Sequence, residues 1–315
     1  MHVKPILGTM NFGPQVQLSD SIQMVTKFID SGFNEIDTAY VYNNGDSERY
    51  LGEALNHVSL SQPVVATKVN PRITGKLDRE SIQKQLLESI QRLGLNSVDI
   101  LYLHFPDPTT PIFETLSCCF ELYKKGYFKE LGLSNFPAWQ VVKIWYICKE
   151  NGWMMPTIYQ GLYNGLSRNV EEELLPSLRS LGMRFYAYNP LAGGILSGKY
   201  SDIDNIKEGR FTHRPNYQSR YWKKEFFDAY HLLNLACERH GISIIEAAFR
   251  WLIGSSSLQG INGDSIIIGA SSIDQLNQNL SFFDGDGLDI EVLDAFNNAW
   301  EISKSEAPAY FRNVK

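Results

Sequence analysis

EIDTAYVYNNGDSE, residues 35–48, begins as the end of a strand and finishes as the start of a helix. An apolar run reaches Ile36 and turns polar at Asp37. Asn43, Asn44 and Gly45 are turn residues, and Asp46 or Ser47 suits a helix start. Between them the chain places Asp37, Tyr40 and Tyr42 where the strand stops. A capped turn with two half-buried tyrosines accounts for these residues as well as a reactive site does, so the stretch must be weighed against the rest of the chain.

The same strand-then-helix rhythm repeats outward from this point. Short apolar or β-branched runs mark expected strands at 5–9, 33–37, 64–68, 98–104, 129–134, 157–160, 184–189 and 265–269. Amphipathic segments mark helices near 19–31, 46–57, 78–93, 112–125, 137–150, 170–181, 226–240 and 272–283. Two more, near 243–254 and 289–304, have no strand of their own. Ser19, Asp78 and Thr110 before Pro111 read as helix starts, while Gly32, Gly94, Gly126 and Gly182 read as helix ends. Eight strands each followed by a helix, with no shift in composition, predict an α/β fold. The expected form is one (β/α)8 TIM barrel over 1–315, with two extra helices and a long loop after strand 7, at 191–225. The competing open doubly wound sheet would favour a glycine fingerprint after its first strand, and GTMNFG (8–13) has the wrong spacing.

Composition narrows the function. Of 315 residues, 43% are hydrophobic and 12% aromatic, enough for a large core. A net charge of -6 with mixed signs gives no footprint for nucleic acid. The N-terminal residues show no signal-peptide core and no run is long enough to span a membrane, so a cytoplasmic protein is expected. Cys118, Cys119, Cys148 and Cys237 lack metal-ligand or disulfide spacing and read as packing residues. The acidic DGDGLD (284–289) lacks the remaining positions of a calcium loop and reads as a turn; no metal is expected.

Barrel active sites form at the carboxyl ends of the strands. Reading each strand to its end gives Asp37 with Tyr42, then Lys68, then His104, on three adjacent strands. Singly, each has an ordinary explanation: a turn cap, a packing tyrosine, a solvated lysine, a histidine bonded to a loop carbonyl. Together they form a coherent acid. A tyrosine hydroxyl with a reference pKa of about 10 is a poor proton donor at neutral pH. A neighbouring ammonium would lower that value, and a carboxylate would hold the ammonium in place. Such a set suits protonation of a carbonyl oxygen while hydride arrives from elsewhere.

With these residues the chain resembles the aldo-keto reductase family, and within it the aflatoxin aldehyde reductase subgroup. The resemblance runs through EIDTAYVYNNGDSE, DILYLHFPD, ELGLSNF, PTIYQGLYN, RFYAYNPLAGGILSGKY, SRYW, SIIIGASSIDQLNQNL and the final APAYFR, covering essentially the whole chain. It implies a catalytic tetrad of Asp37, Tyr42, Lys68 and His104, with Tyr42 as general acid and His104 orienting the carbonyl. It implies NADPH across the barrel mouth. Ser134, Asn135 and Gln160 would meet the nicotinamide amide, and Tyr188 would stack on its ring. Asn189, Pro190 and Leu191 would also contact the cofactor, Gly193 and Gly194 would allow close backbone approach, and Lys199 would meet the pyrophosphate, with Arg210 a further cofactor contact. Gly269, Ser271, Ser272, Gln275 and Asn279 would hold the adenosine end, where a helix start offers free N–H groups. Many members carry arginine where this chain has Gln275, which bears on NADPH over NADH. Tyr217, Arg220, Phe311 and Arg312 correspond to substrate contacts, and an arginine fork suits a carboxylate. The expected activity is reduction of small-molecule aldehydes in a detoxifying role: dicarbonyl, aromatic, and carboxylate-bearing ones such as succinic semialdehyde. The subgroup implies a homodimer. The alternative is a redox-sensing NADP(H)-binding partner resembling potassium-channel beta subunits.

Overall fold

The computed structural model describes residues 2–58, 63–206 and 209–312, apart from the side chain of Arg210. Eight parallel strands close into a barrel: β1 (Lys4–Gly8), β2 (Glu35–Asp37), β3 (Val64–Val69), β4 (Val98–Leu103), β5 (Phe128–Ser134), β6 (Pro156–Leu162), β7 (Arg184–Tyr188) and β8 (Ser265–Gly269). Closure runs through β1 and β8, paired from Lys4 opposite Ser265 to Gly8 opposite Gly269. The expected (β/α)8 TIM barrel is the observed fold.

Alternation along each strand builds two cores. Ile100 and Tyr102 of β4 join Ile6, Ala66, Ile158, Tyr186 and Ile267 in a cluster that fills the barrel. Leu101 and Leu103 face outward into the larger core beneath the helices. The period of two then carries each inward strand position to a mouth position. Two residues beyond Ala66, Tyr102, Ile158 and Tyr186 come Lys68, His104, Gln160 and Tyr188. Gly132, whose added Cβ would lie 2.4 Å from the Tyr102 ring, leaves that ring room against β5.

Helix starts follow sequence logic in part. Asp78, Ser243, Ser272 and Asp289 accept backbone N–H bonds from Ser81, Glu246, Gln275 and Glu291, at 2.9 to 3.2 Å. Each such cap is worth about 1 kcal/mol. Ser19 and Thr110 are not caps, since Gln17 and Pro111 hold those positions without a side-chain bond. The helix expected at 170–181 spans Leu174–Ser180. Pro176 explains the late start, because proline is tolerated only in a helix's first turn. The 191–225 stretch is less irregular than expected: it holds a 3-10 segment, Ala192–Ser197, and helices Arg210–His213 and Pro215–Tyr221. The extra helices span Ile244–Gly254 and Ile290–Ser303. The four cysteines are free and buried, and burial raises the thiols of Cys118 and Cys237 to about 11 and of Cys148 to about 12. Among the described residues, no helix is long and apolar enough to cross a membrane, and no cluster of His, Cys, Asp and Glu could hold a metal.

Candidate active site

Asp37, at the end of β2, and Lys68, near the end of β3, are 3% and 0% exposed. Lys68 Nζ donates to Asp37 Oδ1 at 2.5 Å and to the Thr38 carbonyl at 2.6 Å. Gln160 Nε2 donates to the other carboxylate oxygen of Asp37 at 2.8 Å. Both oxygens of the buried acid are thus satisfied, as a buried ion pair requires. The ammonium lies 5.2 Å from the centre of the Tyr42 ring, and the His104 ring stands edge-on to Tyr42 at 6.0 Å. The four residues read from the strand ends meet at one place.

Tyr42 itself is held by its turn. Asn43, Asn44 and Gly45 adopt left-handed φ values of 49, 55 and 89°. Asn43 Nδ2 donates to the carbonyls of Met10 and Phe12, fastening the turn to the loop after β1. A Cβ at Gly45 would also lie 2.8 Å from the Arg92 guanidinium, which would have to move aside. Arg92 donates to Glu48 at 3.0 Å and to the Tyr40 carbonyl at 3.3 Å, bracing the turn from the helix Arg79–Leu93. Tyr40 donates its hydroxyl to Glu88 at 2.6 Å, a structural place away from the tetrad.

The electrostatics depart from one expectation. Burial first, then the Asp37 carboxylate, push the Tyr42 hydroxyl well above its usual value, with Arg214 pulling the other way. Lys68, whose ammonium is engaged by Asp37 and Thr38, does not outweigh that burial. Burial lowers Lys68, and Asp37 opposes that shift. His104 is driven well below its ordinary value by burial and then by Lys68, Arg72 and Arg312, so the imidazole is neutral. The arrangement keeps a proton on Tyr42 and a hydrogen-bonding imidazole beside it.

Beside the tetrad, Ser134 Oγ accepts from Asn135 Nδ2 at 3.0 Å and so keeps its own proton to donate. Gln160, with Nε2 spent on Asp37, keeps Oε1 to accept. One donor and one acceptor match a carboxamide, so these residues fit a nicotinamide. Asn135, with φ 64°, also donates to the His104 carbonyl at 2.9 Å and accepts from Tyr188 at 3.0 Å. Asn189, Pro190 and Leu191 follow β7, and Asn189 too is left-handed, at φ 58°. The close approach at Gly193 is to Tyr221, 2.7 Å from an added Cβ, while Gly194 has more room. Lys199 is exposed. Past β8, Ser272 caps the helix Ile273–Ser281, and Gln275 Oε1 accepts from the Ser271 amide and hydroxyl at 3.0 and 2.8 Å. Asn279 Nδ2 reaches the Gly269 carbonyl at 3.4 Å. The Arg210 side chain lies outside the described residues.

Of the residues expected at the substrate, Tyr217 is 7% exposed and donates to Asn189 at 3.3 Å. The Arg220 guanidinium lies over the Tyr217 ring at 5.3 Å. Phe311 packs edge-on to Tyr310, and the Arg312 amide donates to the Asn135 carbonyl at 3.0 Å, laying the C-terminal segment beside the site. Sequence reading missed Asn70, Arg72, Glu48, Arg92 and Arg214. The cap pattern of Asn70 before Pro71 was the one available signal.

A closed barrel with this tetrad at its mouth defines an oxidoreductase of the nicotinamide-dependent barrel class. The aldo/keto reductase family model matches residues 5–301. Aflatoxin B1 aldehyde reductase member 2 of Rattus norvegicus is 45% identical over 98% of this chain and 87% of its own. Human aldo-keto reductase family 7 member A3 is 44% identical over 98% of this chain and 96% of its own. A more distant relative, oxidoreductase sirO of Leptosphaeria maculans, is 35% identical over 97% of this chain and 96% of its own. The chain belongs to the aldo/keto reductase family.

Proposed function

We propose that this enzyme reduces aldehydes to primary alcohols with NADPH, as a detoxifying activity. The observation that carries the reading is the meeting of Tyr42, Lys68, Asp37 and His104 beside an amide-matching pair, Ser134 and Gln160. When bound, NADPH supplies the hydride that the carbonyl carbon accepts. Tyr42 gives its proton to the carbonyl oxygen, and His104 hydrogen-bonds that oxygen and orients it. As negative charge develops on Tyr42, the Lys68 ammonium stabilises it at short range in a dry site. The raised resting pKa of Tyr42 fits this order, since the proton stays until a carbonyl is there to take it.

Three guanidinium groups surround this point in a chain of net charge -6. Arg214 acts on Tyr42, and Arg72 and Arg312 act on His104. The Arg312 Nη2 is buried and has no hydrogen-bond partner among the described residues. This excess of positive charge favours aldehydes that carry an acid group, succinic semialdehyde among them, alongside dicarbonyl and aromatic aldehydes. Tyr217, Arg220 and Phe311 complete the substrate wall. Gln275, closing the Ser271 donors, makes the preference for NADPH over NADH a modest one. The test is NADPH oxidation with 4-nitrobenzaldehyde and succinic semialdehyde, repeated with NADH. Arg220→Ala and Arg312→Ala should each raise KM for the acidic aldehyde and spare the neutral one. Tight NADPH binding with no turnover across the panel would favour the channel-subunit-like sensor instead.

A further inference from the structure

We infer that Asn70 is a positioning residue that fixes the tautomer of His104, keeping Nδ1 as an acceptor and leaving Nε2–H for the carbonyl oxygen. The inference rests on the reductase reading only for what the Nε2 proton does; the tautomer itself follows from the hydrogen bonds.

Asn70 follows β3 directly, two residues beyond Lys68, and is 2% exposed. Its main chain is clasped by one side chain from the helix Arg79–Leu93. The Asn70 amide donates to Gln85 Oε1 at 2.8 Å, and its carbonyl accepts from Gln85 Nε2 at 3.2 Å. Gln85 is itself fully buried, so the backbone of Asn70 has a fixed seat.

The side chain then has one permitted orientation. Asn70 caps the short helix Pro71–Thr74, and its Oδ1 accepts from the Arg72 amide at 2.9 Å. An amide nitrogen could not accept that bond, so the cap settles which way the carboxamide lies. The NH2 group therefore faces His104 Nδ1, at 3.3 Å. An NH2 group can only donate. Nδ1 must then present its lone pair, and in a neutral ring the proton sits on Nε2.

The surroundings keep the ring neutral. The cations facing it are Lys68 from β3, Arg72 from the short helix and Arg312 from the C-terminal segment. The Asp37 carboxylate is engaged by Lys68 and Gln160, and the Tyr42 hydroxyl is held protonated. Phe105 stacks on the imidazole at 4.7 Å and 18°, and the Arg72 guanidinium lies over the Phe105 ring at 4.0 Å. Asn70 thus links two things: through Oδ1 it places Arg72, and through Nδ2 it sets the proton on His104.

Long-range 1H–15N spectra of the histidines test this without any substrate, with His104→Asn identifying the signal. In the unaltered protein His104 should show a protonated Nε2 and a bare Nδ1, unchanged across neutral pH. Asn70→Asp retains the oxygen that caps the helix but replaces the donor at Nδ1 with an acceptor. That variant should protonate Nδ1, and His104 should begin to titrate near neutrality, within about pH 6 to 8. The same ionisation should enter its kcat/KM profile. A protonated Nδ1 in the unaltered protein would overturn the inference even if the variant fails to fold. So would an Asn70→Asp spectrum with His104 unchanged. Lack of aldehyde turnover alongside the expected spectra would instead count against the reductase reading alone.

Discussion

Glu35 and Asp37 stand two residues apart on β2 and face the same barrel interior, yet their surroundings differ at every contact. Asp37, at the mouth, receives Lys68 on one oxygen and Gln160 on the other. Glu35, at the floor, receives only the Tyr186 hydroxyl, at 3.2 Å, and its Oε1 is buried with no partner among the described residues. Arg184, whose charge pulls the Glu35 carboxyl down, is tied to Glu130 at 3.0 Å. Burial accordingly raises the Glu35 carboxyl to about 7. The mouth holds a charge with partners already in place, as chemistry demands. The floor tolerates a strained acid because nothing there must react.

This contrast can be broken from either end. The largest effect is expected at the mouth. Tyr42→Phe removes the proton donor and should lower kcat by up to about 10⁴-fold while cofactor binding persists, read by fluorescence titration. Lys68→Met should cost about 3–5 kcal/mol in urea unfolding, because Asp37 is left buried without its cation. At the floor the sign depends on pH. The folded carboxyl of Glu35 keeps its proton up to about 7, the unfolded one only to about 4.5. Between those values the folded state holds more protons, so stability falls as pH rises through the window and levels off above it. Glu35→Gln should therefore be neutral at pH 4 and stabilising by roughly 1–3 kcal/mol at pH 8, with turnover unchanged. A stabilisation equal at both pH values would show that packing, not ionisation, sets the strain. Arg49→Ala, which removes an exposed pair with Asp46, should shift stability by less than about 0.5 kcal/mol.

Much of the mouth could be read in the sequence because strand ends are local. The polar switch at Asp37, the lysine at 68 and the histidine at 104 each close an apolar run, and the period of two does the rest. The Asn43–Asn44–Gly45 turn announced itself by residue types that accept left-handed backbone. What lay beyond reach was pairing across distance. Nothing near Glu48 signals Arg92, 44 positions on, and nothing near Asn70 signals His104. The sign of the Tyr42 shift was missed for the same reason. Sequence placed a cation near the phenol, but only the folded chain shows the burial of its hydroxyl and the Asp37 carboxylate facing it. The late start at Leu174 was legible in Pro176, and amphipathicity outweighed it.

The stack of His104 on Phe105 also has a magnetic consequence. With ring centres 4.7 Å apart and planes 18° from parallel, the ring current of Phe105 acts on the imidazole at close range. The carbon-bound protons of His104 should resonate upfield of those on exposed histidines such as His57 and His2. They should move whenever a ligand shifts that stack, so a one-dimensional proton spectrum can report occupancy at the mouth in a sample that never turns over.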